Sequence, residues 1–296
     1  MNQLYRLLGI SKQAVHQQAR KQKTFDQKVM DLMLEVDELR SQHPGCGVEK
    51  MYYTLKPDFM GRDRFIETFM DLDYRVKKIK NYHRTTLPVS LKYPNLIEGM
   101  TVTKKNMLWQ SDITYYDIKG KFYYLFFIID VYTRCIVGYA VSESLRAEAN
   151  IRALKMAVKE HGYPMIHHSD RGSQYIEKRY TKMLTDNACS ISMGLKAQEN
   201  AYAERINGII KNEYLKYKEI KNLDQLRKEV KKAVNHYNNI RPHYSLPEKV
   251  SPIHYDKGQR GQQKLEIYAK EKPKVVESTF NNFENIKENN LICFIN

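Results

Sequence analysis

Two acids stand out for their settings. Asp170, in HSDRGSQY (residues 168–175), follows a short apolar and β-branched run at Met165 and Ile166 and precedes a glycine-containing turn. That places it at the carboxyl end of a strand. Glu204, in ENAYAERINGIIKNEY (residues 199–214), falls in the first turn of a helix that Asn200 could cap. Glu204, Asn207, Gly208 and Lys211 share one face of that helix at the i, i+3, i+4, i+7 spacing. A strand-end carboxylate and a helix-face carboxylate can converge on one divalent cation, and Asp112 in WQSDITYYDI offers the third acid. Such a set suits phosphodiester transfer, in which charge develops together on the attacking oxygen, the leaving oxygen and the phosphorus. Two ions roughly 3.5–4 Å apart stabilise all three. Mg²⁺ fits an all-oxygen site that takes part of its shell from substrate phosphate, and Mn²⁺ can substitute.

Each acid also has an ordinary reading. A strand-end Asp is commonly a turn or cap residue, and a helix Glu is commonly solvated. The settings argue for more: Asp112 lies among apolar Trp109 and Ile113, and Asp170 follows an apolar strand. An uncompensated carboxylate in such places is costly unless it is paired or metal-bound. Asp130, inside FFIIDVY, is the rival to Asp112, but a structural hydrogen-bonding role on the second strand suits it better. His168 is either a residue behind the metal ligands, a DNA contact or a satisfied core histidine. Lys211 is either aimed at what the metals hold or a surface lysine.

The composition bounds the partners. Lys and Arg number 49 against 34 Asp and Glu, a net charge of +15, which points to a polyanion. No apolar run approaches the ~20 residues of a membrane span, and residues 1–20 lack a signal-peptide core. No membrane association is expected, and the default location is cytoplasmic, nucleoid-associated if the polyanion is chromosomal DNA. Cys46, Cys135, Cys189 and Cys293 form no C-x-x-C pair, so neither a disulfide framework nor a thiolate metal site is expected.

Elements that could position the acids follow in order. Residues 1–24 resemble part of a helix-turn-helix, with a break at Gly9 and Ser11 as N-cap of a second helix, although an ordinary helical hairpin fits as well. Residues 25–86 predict a small helical DNA-binding domain: an amphipathic helix from Phe25 to Leu39, the breaker HPGCGV, and helices over Val48 to Leu55 and Arg62 to Leu72. Its basic exit includes Lys77, Lys78, Lys80 and Arg84, which are candidates for phosphate contacts. Residues 87–104 are expected to be a linker. Residues 105–253 then alternate as a mixed α/β sheet with flanking helices. Three antiparallel strands come first, with a Lys119-Gly120 turn, followed by helix, strand, helix, strand and two helices. Residues 254–296 are a polar, basic tail, expected to be unfolded or peripheral.

WQSDITYY, HSDRGSQY, ENAYAERINGIIKNEY and YNNIRPHYSL-x5-P, in that order, resemble the catalytic core of insertion sequence 3 family transposases, members of the retroviral-integrase-like DDE superfamily. GCGVEKMYYTL through Arg84-Thr85-Thr86 resembles the helical DNA-binding region that precedes that core. The resemblance implies an RNase H-like α/β fold, preceded by a small all-α domain, with Asp112, Asp170 and Glu204 as the metal-binding triad. It implies cleavage and joining of element ends without a covalent protein–DNA intermediate, using double-stranded DNA of the ends and the target. Lys211 matches the family's basic residue after the triad Glu, and Arg171, His168 and Asn207 join it as candidate DNA contacts. A homo-oligomer is expected where two ends are synapsed, and an upstream-frame helix-turn-helix protein is a possible partner. Two departures bear on end recognition: 33 residues separate Asp170 from Glu204, two fewer than usual, and Glu199 stands where an Asp is usual before Asn-Ala. A nuclease or resolvase of the same fold without strand transfer, and an inactive DNA-binding regulator, are the alternatives.

Overall fold

The computed structural model describes residues 11–76, 93–194, 197–258 and the short strand at 265–266. Among them, helix α1 (Lys12–Gln42) starts at Ser11, whose hydroxyl accepts from the Ala14 amide at 3.0 Å. It runs unbroken for 31 residues. The two helices expected on either side of residue 24 are therefore one. No Gly or Pro lies between Ser11 and Pro44 to stop it, and only the half from Val29 onward has an apolar face to bury. The first helix of the expected helix-turn-helix lies outside the described residues, as do Lys77, Lys78, Lys80 and Arg84. Val29, Leu32, Val36 and Leu39 pack against α2 (Val48–Leu55) and α3 (Arg62–Asp71) around Met51, Phe65 and Phe69.

The second unit is a five-stranded mixed sheet. It comprises β2 (Leu108–Ile118), β3 (Lys121–Asp130), β4 (Ile136–Ser142), β5 (Ile166–Ser169) and β6 (Ser190–Met193), in the order β4-β3-β2-β5-β6. The first three pair antiparallel, and β5 and β6 add parallel to β2. Lys119 and Gly120 both take positive φ (53° and 84°), the twist-matched two-residue hairpin that favours glycine. The near-continuous apolar run of β3 is explained by two covered faces. Leu125, Phe127 and Ile129 meet α6 (Ala201–Ile209) and α7 (Leu223–Asn239), whereas Phe126 and Ile128 meet α4 (Ala147–His161) and α5 (Lys178–Thr185). Each such side chain fully buried contributes about 1.5–3 kcal/mol. At Gly138 a Cβ would collide with the Ala153 carbonyl, so α4 lies directly on the β4 backbone.

The segment expected as a linker is packed along its described part. Ile97 and Val102 are fully buried with Leu108 and Val131. The Met193 amide donates to the Pro94 carbonyl at 3.2 Å, and the Leu96 amide to Ser192 Oγ at 2.8 Å, so this stretch covers the β6 edge. Its strand β1 (Thr101–Val102) pairs with β7 (Leu265–Glu266). Helix α8 (Pro252–Gly258) also departs from the expected loose tail, with Tyr255 buried. Gly and Pro punctuate both segments, which hides from the sequence that their few apolar residues have a core to enter.

Candidate active site

Strand register brings the two aspartates together. In the parallel pair β2/β5, Ser111 stands opposite Ser169. Asp112 and Asp170 each come one residue later, on neighbours roughly 4.8 Å apart. Both acids stay half-buried, with solvent access. Asp170 Oδ1 accepts the Gly172 amide at 3.0 Å, in a turn so tight that a Cβ at Gly172 would sit 3.1 Å from that same oxygen.

Helix α6 carries Glu204 to this edge and is clipped to β2 by polar side chains. Gln110, fully buried, donates to the Glu199 carbonyl and accepts the Tyr202 amide, both at 3.1 Å. Asn200 Nδ2 donates to the Ser111 carbonyl at 2.9 Å. Asn200 does precede α6, but its side chain makes no capping bond there, because its amide is used across the sheet instead. Asn207 Nδ2 donates to Asp112 Oδ2 at 2.7 Å. Three successive strand residues are thus held by one helix and the turn leading into it. Gln110 escaped the sequence reading, although a glutamine inside an apolar strand was the available signal.

The electrostatics follow from this crowding. Burial, then Asp170 and more weakly Glu204, push the Asp112 carboxyl up to about 8, against the Ile113 amide and the Asn207 amide, which favour the charged form. Asp170 is raised by burial, with the Gly172 amide opposing, and Glu204 by burial and then Asp170. Among the described residues none of the three forms an ion pair. A divalent cation answers that repulsion, and the donor set, all oxygen with one carboxylate oriented by an amide, fits Mg²⁺ or Mn²⁺. Among the described residues no three His, Cys, Asp or Glu side chains, the acids Asp112, Asp170 and Glu204 included, are placed to hold a metal ion together. Mg²⁺ does not require three, since it is bound through one or two carboxylates together with waters and substrate phosphate.

The other candidates divide. Lys211 Nζ reaches Thr114 Oγ1 at 3.2 Å and lies over the Tyr115 ring at 4.7 Å. Burial lowers its pKa while Asp112 raises it, so it lies on the Asp112 side of the helix. Arg171 is half-buried, its Nε 3.4 Å from the Gly194 carbonyl. Two expected DNA contacts are corrected. His168 is fully enclosed, with Nδ1 2.9 Å from Ser192 Oγ, and burial drops its pKa to about 4, so it is a neutral core histidine. Asn207 is buried and its amide is committed to Asp112. Asp130 has the structural role expected: it is 1 % exposed and accepts from the Asn106 and Thr133 amides, the Thr133 hydroxyl and Trp109 Nε1.

Known proteins resemble this chain in sequence and in fold. Two integrase core domain models match, over residues 102–198 and 186–250. The insertion element IS600 uncharacterized 31 kDa protein of Shigella sonnei is 33 % identical over 203 residues, covering 65 % of this chain and 74 % of that protein. The transposase for insertion sequence element IS629, also of Shigella sonnei, is 36 % identical over 141 residues, 47 % of this chain. Those residues span about half (48 %) of that relative's length. Among solved structures, a chain of the simian T-cell lymphotropic virus intasome, in complex with PP2A regulatory subunit B56 gamma, superposes with a TM-score of 0.51 at 18 % identity. It covers 76 % of this chain and 74 % of that one, which is a likeness of fold.

Proposed function

Because the chain belongs to the insertion-sequence transposases with an integrase core, of the insertion sequence 3 type, we propose that it cleaves the ends of a bacterial insertion sequence and joins them to target DNA. The observation that carries this is the in-register pair Asp112 and Asp170, coupled electrostatically to Glu204 and without an ion-pair partner among the described residues. Asp112, Asp170 and Glu204 would hold two divalent ions, Mg²⁺ or Mn²⁺. When bound, these supply charge neutralisation at the scissile phosphate and activate the attacking oxygen.

The chain's own part is positional. Asn207 fixes which Asp112 oxygen points outward, and the Gly172 amide holds one Asp170 oxygen. Lys211 and Arg171 border the acids as cations for the DNA backbone. Water attacks at the element's 3′ end, and the freed hydroxyl then attacks a target phosphodiester, with no protein nucleophile required. The net charge of +15 suits double-stranded DNA. Capture of two ends calls for a homo-oligomer, with an upstream-frame helix-turn-helix protein as a further partner and the nucleoid as the place of action. Among the described residues no helix is long and apolar enough to cross a membrane.

The test is joining of a labelled element end to plasmid DNA in Mg²⁺ or Mn²⁺, comparing wild type with Asp170→Asn. Joining by the wild type alone is the expected result. Nicking without joining would indicate a nuclease. Equal activity in both proteins would overturn the triad.

A further inference from the structure

Glu213 lies five residues beyond Gly208 and two past Lys211, in a π-helical stretch, Ile210–Tyr214. At 3.6 residues per turn, side chains two apart point to nearly opposite sides. Lys211 accordingly meets Thr114 and Tyr115 beside the acids, and Glu213 turns the other way, toward the helical unit. Its carboxylate accepts from His43 Nε2 at 2.8 Å, Lys50 Nζ at 2.6 Å, and Arg241 Nε and an Arg241 terminal nitrogen at 2.9 and 3.0 Å. The Arg241 fork is bidentate, the strongest carboxylate pairing available to a side chain.

The backbone and the next residue join this contact. The Gly45 amide donates to the Glu213 carbonyl at 2.6 Å, and a Cβ on Gly45 would fall 2.5 Å from Glu213 Cα. His43 stacks on Tyr214 with centroids 4.4 Å apart and planes 3° apart, and the Tyr214 hydroxyl lies 3.1 Å from His236 Nδ1. Three separate parts of the chain, the HPGCG breaker with α2, helix α7 and the IRPHYSL segment, therefore converge on two adjacent residues of one irregular turn. Such turns are rare and occur often at functional sites. This one carries Lys211 and directly continues the helix that bears Glu204 and Asn207.

We propose that Glu213 is a positioning residue: gripped by His43, Lys50 and Arg241, it fixes the register of the 210–214 turn, so that docking of the helical unit sets Lys211 and Asn207 against Asp112. This rests on the reading of Asp112 as part of the reacting centre. Glu213 touches none of the reacting groups and acts through the turn. Its carboxyl, held well below the usual carboxylate range chiefly by His43 and Arg241 against the effect of burial, stays charged for that role.

The test uses the full chain as wild type, Glu213→Gln, Gly45→Ala, their double variant, and the control Arg227→Ala on the exposed side of α7. Three readouts are taken: amide hydrogen exchange over residues 207–214, affinity for a labelled element end at fixed salt, and single-turnover joining at saturating DNA. Glu213→Gln and Gly45→Ala are expected to speed exchange at 207–214 while that of β2 and β3 stays unchanged. Joining should slow roughly 10- to 100-fold, well beyond any loss of end affinity from displacing Lys211. The double variant should be no slower than the worse single, since both changes act through one contact. Unchanged exchange at 207–214, equal acceleration in the sheet, or loss of affinity matching the loss of rate would each overturn the proposal. If either variant fails to fold, Lys50→Met leaves His43 and Arg241 on Glu213 and should give a smaller effect of the same sign, and no effect counts against the proposal. Should the wild type join no ends, the transposase reading falls, and the exchange measurement still decides this one.

Discussion

Replacing Asp112 by Asn should stabilise the metal-free protein, increasingly so as pH rises. The unfolded carboxyl titrates near 3.8 and the folded one at about 8. Between those values the folded state keeps a proton that the unfolded chain has released, so stability falls as pH rises through that interval and the full penalty is present above it. At 1.36 kcal/mol per pH unit the ceiling is about 6 kcal/mol. Asp112 retains a solvent-facing side, and screening there brings the expected gain to about 2–3 kcal/mol. An amide at this position preserves an acceptor for Asn207, so the substitution removes charge and little else.

Urea unfolding in chelator at pH 5 and pH 8.5 measures the effect. The Asp112→Asn variant should exceed wild type at pH 8.5, with a smaller gap at pH 5. Millimolar Mg²⁺ should then stabilise wild type and leave the variant unmoved, because only a binding-competent native state gains from ligand. A variant less stable than wild type at pH 8.5 without metal, or a gap independent of pH, would refute the description of Asp112 as a desolvated acid crowded by Asp170 and Glu204.

Other perturbations follow from the same contacts. Asp130→Ala strands the Asn106 and Thr133 amides and leaves Trp109 Nε1 with Asn106 Oδ1 as its acceptor, and should cost about 3–5 kcal/mol by chemical denaturation with no metal dependence. Gly138→Ala drives a Cβ into the Ala153 carbonyl and should cost about 1–3 kcal/mol, read as a lower Tm. Lys211→Ala should weaken binding of element ends across sequences and reduce the salt slope of log Kd by about 1, measured by titration over a range of salt concentrations.

Legibility tracked how local the cause was. Strand β3 could be read because a run such as FYYLFFII has no alternative to burial on both faces, and the Lys119-Gly120 turn because its residue pair suits the backbone twist. Asp112 and Asp170 stood out because charge in an apolar setting is anomalous within a few residues of sequence, and Glu204 because it shares a helix face with Asn207 and Lys211. The union of two expected helices into α1 was less visible, since its exposed first half carries no periodic signal. The packing of residues 93–104 was hidden because Ile97 and Val102 are too few to form a pattern before a neighbouring core is known.

The roles of polar side chains depended on partners far along the chain. Asn207 and Gly208 share a face with Glu204 by helical geometry alone, but only the crossing of α6 over β2 decides that the Asn207 amide serves Asp112. His168 and Asp170 are two residues apart in one motif, yet one is sealed in the core and the other stands at the open edge, because β5 ends between them. Glu213 has no distinguishing neighbour in sequence, and its importance arises where Gly45, Lys50 and Arg241 arrive in space. The sequence by itself determined which residues carry charge into an apolar frame and the order of the elements. The tertiary structure decided which of those charges face one another, because register and helix crossing are set by the packing of the whole sheet.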